Sequence, residues 1–145
     1  MSAVMSSAQQ EYERTAEVLE AAAARVERGW CQHAAATDAE GDRLQPLDAA
    51  AARFCALGAI KAEASAAARG LGEAYLATAL DHNAALIAAR QLAVSVGELE
   101  LVKTGRHRHV VFTWNDANGR RAAEVAVMLR AAAARARAMA AEVQS

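Results

Sequence analysis

The stretch QQEYERTAEVLEAAAARVERGW, residues 9–30, decides the fold class. Tyr12, Ala16, Leu19, Ala23, Val26 and Trp30 follow one another in steps of four and three. That rhythm places them on one stripe of an α-helix. The helix is expected over residues 9–28, with Gly29 as its C-terminal cap. A last helix is expected over about 120–142, and a matching stripe runs along it and just past its end: Val125, Leu129, Ala132, Ala136, Met139 and Val143. Two helices with equal spacing can form one seam, inside the molecule or between two copies.

Composition agrees with this helical reading. Hydrophobic residues make up 54% of the 145-residue chain, but aromatics only 4%. The difference is largely alanine, the best helix former, because ordering it costs no side-chain entropy. A single proline is a further helical sign. The length suits one domain over residues 1–145, with residues 1–8 expected to fray. The formal charge of −1 leaves no global basic excess, which disfavours nucleic acid as a partner. No apolar, uncharged run reaches the length of a membrane span, and no signal peptide is evident, so a cytoplasmic protein is expected. Cys31 and Cys55 are then expected as thiols.

Between the outer helices the sequence is more varied. Residues 31–47 read as a polar connection, with short arms near 33–36 and 43–45 around the Asp38–Gly41 turn. Asp48 can cap a second helix that carries Phe54, Cys55, Leu57 and Ile60 and runs to about 68. Gly58 within it suggests a close helix–helix approach. A third helix is expected over 73–80 and a fourth over 84–96, holding Leu86, Ile87, Leu92 and Val96. Asp81-His82-Asn83 either joins or separates them. Residues 98–114 are the one β candidate. A turn at 102–106 is followed by an arm rich in Val, Phe, Thr and Trp. The fold class is therefore mainly α: a small bundle of four to five helices with one short β-hairpin.

Three strings, Gly29-Trp30-Cys31-Gln32, Cys55-Ala56-Leu57-Gly58-Ala59 and Trp114-Asn115-Asp116 followed by Gly119-Arg120 and Glu124, occur in this order. Together they resemble a family of short, functionally uncharacterised proteins from bacteria and their phages, with Gly-Trp-x-Gln, Cys-x-x-Gly-Ala and Trp-Asn-Asp-x-x-Gly-Arg motifs. The resemblance implies a fold and no activity. Arg121 stands where the family pattern has Thr, so a reciprocal capping box with Glu124 is not expected. The basic segment 103–109 looks like an elaboration.

Several constellations could carry chemistry. Cys55 with His107 or His109 and Asn115 or Asp116 has the residue types of a thiol triad. A cysteine in mid-helix between Phe54 and Leu57 lacks the environment that lowers a thiol pKa, so this reading is disfavoured. Cys31, His33, Cys55, His82, His107 and His109 are potential metal ligands, but their spacing matches no zinc pattern, and no metal or cofactor is expected. Lys103, Arg106 and Arg108 form a basic patch that could meet an anion or an acidic partner. On a strand, the same charges would protect an edge. Trp30 and Trp114 need acceptors for their indole N–H groups, and Gln32, Asn115 and Asp116 are at hand. With Arg120 these residues could instead wall a small-molecule or nucleotide site. The reading favoured by the absence of catalytic motifs is a non-enzymatic helical module that binds a protein partner or a second copy of itself.

Overall fold

The computed structural model describes residues 6–96 and 99–144. Of residues 1–8, expected to fray, 1–5 lie outside what is described, as do the hairpin start at 98 and the side chain of Val96; Ser7 and Ala8 belong to the first helix. The described chain forms six helices and a small three-stranded antiparallel sheet: α1 (Ser7–Arg28), β1 (Ala36–Thr37), β2 (Arg43–Leu44), β3 (Arg53–Phe54), α2 (Ala56–Gly70), α3 (Leu76–Val96), α4 (Leu99–Lys103), α5 (His107–Asn115) and α6 (Ala122–Gln144).

Helix α1 begins earlier than expected because Ser6 caps it, its hydroxyl accepting the N–H of Gln9 at 3.1 Å. Its stripe packs along α6, the most extensive helix pair in the molecule. Ala16, Leu19, Ala23 and Val26 meet a layer that includes Val125, Leu129, Ala132 and Ala136, all buried. Alanine on both helices lets the backbones approach closely. Arg137 reaches Glu13 and Glu20, and Arg130 reaches Glu27, along the solvent edge of the seam.

The small sheet has the order β2-β1-β3. Asp38 closes the β1–β2 hairpin by accepting the N–H groups of Glu40 and Asp42, while Gly41 takes a positive φ of 93°. The short arms read around the Asp38–Gly41 turn in the polar connection thus pair as strands, at 36–37 and 43–44. The third strand is an addition. Phe54 lies in β3, not in a helix, because Ala52 N–H bonds to Thr37 and Phe54 N–H to Gly29. Asp48 accordingly caps only a local turn, at the N–H of Ala50. Gly58 is packed against the backbone of Ala35, not against another helix.

Residues 76–96 form a single helix, so Asp81-His82-Asn83 continues it. The expected β-hairpin at 98–114 is replaced by α4 and α5. Its residues have high strand propensity, but tertiary burial decides the outcome. His107, Val110, Val111 and Asn115 are the buried positions of α5, and their spacing is helical. Helix α6 follows the turn at 116–119, where Gly119 takes φ 80°. Glu124 accepts the N–H of Arg121 at 2.9 Å, so one arm of a capping box forms despite the missing threonine.

Candidate functional site

The motif residues converge where the end of α1, the start of α2 and the end of α5 meet. Asn115 is the centre and is fully buried. Its Oδ1 accepts the Trp30 indole N–H at 2.9 Å and the Ala56 backbone N–H at 3.0 Å. Its Nδ2 donates to the Cys31 carbonyl at 3.2 Å and to Asp116 Oδ1 at 3.0 Å. Two acceptor and two donor positions are the full capacity of a primary amide. Asn115 therefore has nothing left to offer a ligand.

Its neighbours are engaged in the same way. Gln32 Nε2 donates to the carbonyls of Asn115 and Ala117, each at 3.0 Å. Asp116 Oδ1 also accepts the His33 backbone N–H at 2.9 Å, and its Oδ2 lies 3.7 Å from His33 Nδ1. That anchor holds His33 at φ 65°, a left-handed conformation that non-glycine residues rarely adopt. The Trp30, Gln32, Asn115 and Asp116 side chains thus meet, and their bonds run to one another and to the adjoining backbone.

Cys55 is the N-cap of α2, and its sulfur accepts the N–H of Gly58 at 3.3 Å. The mid-helix placement is corrected: β3 occupies the residues just before it. A helix N-terminus ordinarily favours a thiolate. Here burial outweighs the N–H groups of Gly58 and Leu57, and the Cys55 thiol is pushed up. Cys31 is pushed up to about 11, chiefly by burial, then by Cys55 and Asp116. His109 lies on the exposed side of α5 with its ring against Thr113, and no hydrogen bond joins it to Cys55. Both sulfurs are protonated at neutral pH, which leaves no activated nucleophile in this region.

The basic residues are dispersed by the change from strand to helix. Lys103 pairs with Glu100 at 3.8 Å, Arg106 stands exposed before α5, and Arg108 crosses to Asp81 on α3 at 2.7 Å. His107 points inward instead. Its ring meets His82 edge-on, with centroids 5.0 Å apart. Burial, followed by His82 and Arg108, lowers its pKa. The cluster of Asp81, His82 and His107 escaped sequence reasoning because it joins positions far apart in the chain. Among the described residues no group of three or more His, Cys, Asp or Glu could hold a metal ion. No helix among them is long and apolar enough to cross a membrane.

Trp114 stands apart from the amide network. The Arg120 guanidinium lies 4.0 Å from its ring centroid, and Arg120 Nε donates to the Trp114 carbonyl at 3.0 Å. The indole walls a groove of about 310 Å³ between α3 and α6. Leu92, Val127, Met128 and Ala131 supply its apolar surface, and Gln91 and Glu124 are its charged or polar lining. Of these, the sequence marked Trp114 as a candidate site residue, while Leu92 and Glu124 stood out only as a helix-core position and a motif position.

A family model described as a family of unknown function, DUF6197, matches residues 10–135. The chain belongs to the DUF6197 family. The match runs from α1 through most of α6 and takes in Trp30, Cys55, Trp114 and Asn115. No curated protein and no solved structure matches the chain. The expectation of a functionally uncharacterised family is met at that level: the matched family is one of unknown function.

Proposed function

We propose that this DUF6197 protein is a non-enzymatic interaction module whose working surface is the α3–α6 groove. The occupant is an apolar ridge of a partner protein, such as one face of an amphipathic helix. The observation that carries this reading is the clustering of apolar surface around Trp114. Val127 lines the groove and is 66% exposed. Val94, on α3 one helical turn beyond Gln91 and outside the groove's lining, is 71% exposed. Single exposed aliphatics are ordinary on a protein surface, whereas an apolar cluster rimmed by polar groups is the pattern of a contact site. An aromatic wall fixed by Arg120 adds rigid contact area of the kind that dominates interfaces.

The amide network supports this assignment because Asn115, at its centre, is fully bonded within the protein. Trp30, Gln32, Asn115 and Asp116 spend their hydrogen bonds on holding α1, α2 and α5 together, so they serve as the frame on which Trp114 is mounted. The protonated state of both thiols likewise favours binding over covalent catalysis.

Charge placed in the groove tests the proposal. Val127→Asp should abolish co-purification of the partner while leaving the helical circular dichroism intact. Tyr75→Asp is the control: Tyr75 is 77% exposed and lies just before the opposite end of α3. Partner binding that survives Val127→Asp, or that is lost equally in both variants, would remove the groove from consideration.

A further inference from the structure

We propose that Cys31 and Cys55 form a reversible intramolecular disulfide site, oxidised by a low-molecular-weight disulfide. The backbone holds the two cysteines in register. Trp30 and Phe54 form a parallel bridge. It is closed by Phe54 N–H to the Gly29 carbonyl at 3.0 Å and by Cys31 N–H to the Phe54 carbonyl at 3.2 Å. Cys31 and Cys55 each follow a bridge residue directly. Adjacent strands run about 4.8 Å apart, and successive side chains alternate between faces. The cysteines therefore leave the bridge on one common side. Residues paired in that register stand about one strand spacing apart, which falls within the roughly 4.4–6.8 Å of Cα separation that a disulfide spans.

Two further observations fit this placement. Burial raises the Cys31 thiol first and the neighbouring Cys55 raises it second, so the two thiols share one neighbourhood of the fold. Asn115 fixes both segments from the side, bonding the Cys31 carbonyl and the Ala56 N–H with one amide. The thiols are thus held in place by the fold and need not be brought together by a loop.

The chemistry follows from access. Cys31 is partly exposed and Cys55 is buried. The Cys31 thiol loses its proton to solvent, attacks one sulfur of oxidised glutathione and expels one glutathione thiolate. Cys55 then loses its proton, attacks the Cys31 sulfur of the mixed disulfide and expels the second glutathione thiolate. The protein gives up two electrons and two protons; the small disulfide is reduced to two thiols. Because both protein thiols are raised above the ordinary value, the reaction is slow at neutral pH and quickens as pH rises. The bond would tie the end of α1 to the start of α2, the two segments already joined through Asn115.

Intact-mass spectrometry of the folded protein, incubated with oxidised glutathione at about pH 9, tests the site. The wild type should lose the mass of two hydrogens, show no free thiol after unfolding, and recover both on reduction. Cys55→Ser should stop at a single glutathione adduct on Cys31; Cys55→Ala gives the same reading if the serine variant does not fold. A wild type that accumulates a stable glutathione adduct, cross-links between chains, or keeps both thiols under these conditions would overturn the proposal.

Discussion

Asn115 Oδ1 accepts the indole N–H of Trp30 at 2.9 Å, and this bond joins the end of α1 to the end of α5 across 85 residues of sequence. The same oxygen caps the first N–H of α2 at Ala56. One buried amide therefore sets the mutual position of three helices and leaves Trp114, its neighbour in sequence, facing the α3–α6 groove.

Removing that amide should be costly. Asn115→Ala leaves the Trp30 indole, the Ala56 N–H and the Cys31 carbonyl without partners in the interior. Each stranded group costs about 1–3 kcal/mol, so a loss of roughly 3–5 kcal/mol is expected by urea denaturation. Trp30→Phe, which keeps the ring and removes one donor, should cost less, about 1–2 kcal/mol. A loss below about 1 kcal/mol for Asn115→Ala would mean that the network is not structural.

Glycine substitutions should separate close approach from simple backbone freedom. A Cβ on Gly58 would lie 1.9 Å from the Ala35 carbonyl oxygen, and one on Gly29 would lie 2.3 Å from that of Ala52. Both oxygens belong to backbone that the small sheet holds in place. Gly58→Ala should therefore destabilise by about 3 kcal/mol or more, as severe overpacking does. Gly119→Ala meets open space and carries only the strain of its positive φ, about 1 kcal/mol. Thermal denaturation of the two variants gives the comparison.

Stability should decline in mild acid through His107. Burial depresses its pKa in the folded protein, opposed only by Asp81 and aided by His82, Arg108 and Arg90. Below the unfolded value of about 6.5 the unfolded chain binds the proton more readily than the native state does. Unfolding then takes up protons, and stability falls as pH drops from 7 toward 5. His107→Gln should flatten that part of the profile. An equally steep decline in the variant would assign the effect to other groups.

The α1–α6 seam should respond to packing far more than to charge. Leu129 is fully buried, and Leu129→Ala should cost about 2–5 kcal/mol. Arg137→Ala removes ion pairs with Glu13 and Glu20 at the solvent edge and should cost under about 1 kcal/mol. Equal effects in denaturant titrations would contradict the close-packed seam.

The seam was legible in the sequence because both of its stripes keep their spacing over several turns. The Asp38–Gly41 turn was legible too, since a side-chain acceptor and a glycine sit where a tight turn needs them. So was the demand of Trp30 for an acceptor in the Trp-Asn-Asp motif. Residues 99–115 misled because the Val-Val-Phe-Thr-Trp run favours strands, while the burial at His107, Val110, Val111 and Asn115 that decides the helix comes from contacts with α3, α2 and the Trp30–Cys31 segment. Cys55 misled because its apolar neighbours suggested a helix interior. The bonds that place Phe54 in a strand come from Gly29 and Thr37 partners that only the fold supplies. The groove was hidden for the same reason: Leu92, Trp114 and Val127 belong to three different helices.

Site-specific photo-cross-linking from position 127 in cells that express the protein is the most direct measure of whether the α3–α6 groove is a contact surface. A photoreactive phenylalanine there should give a discrete higher-mass product, absent when the same probe replaces Glu40 at the hairpin tip. Background alone at 127, or the same product from both positions, would contradict the assignment.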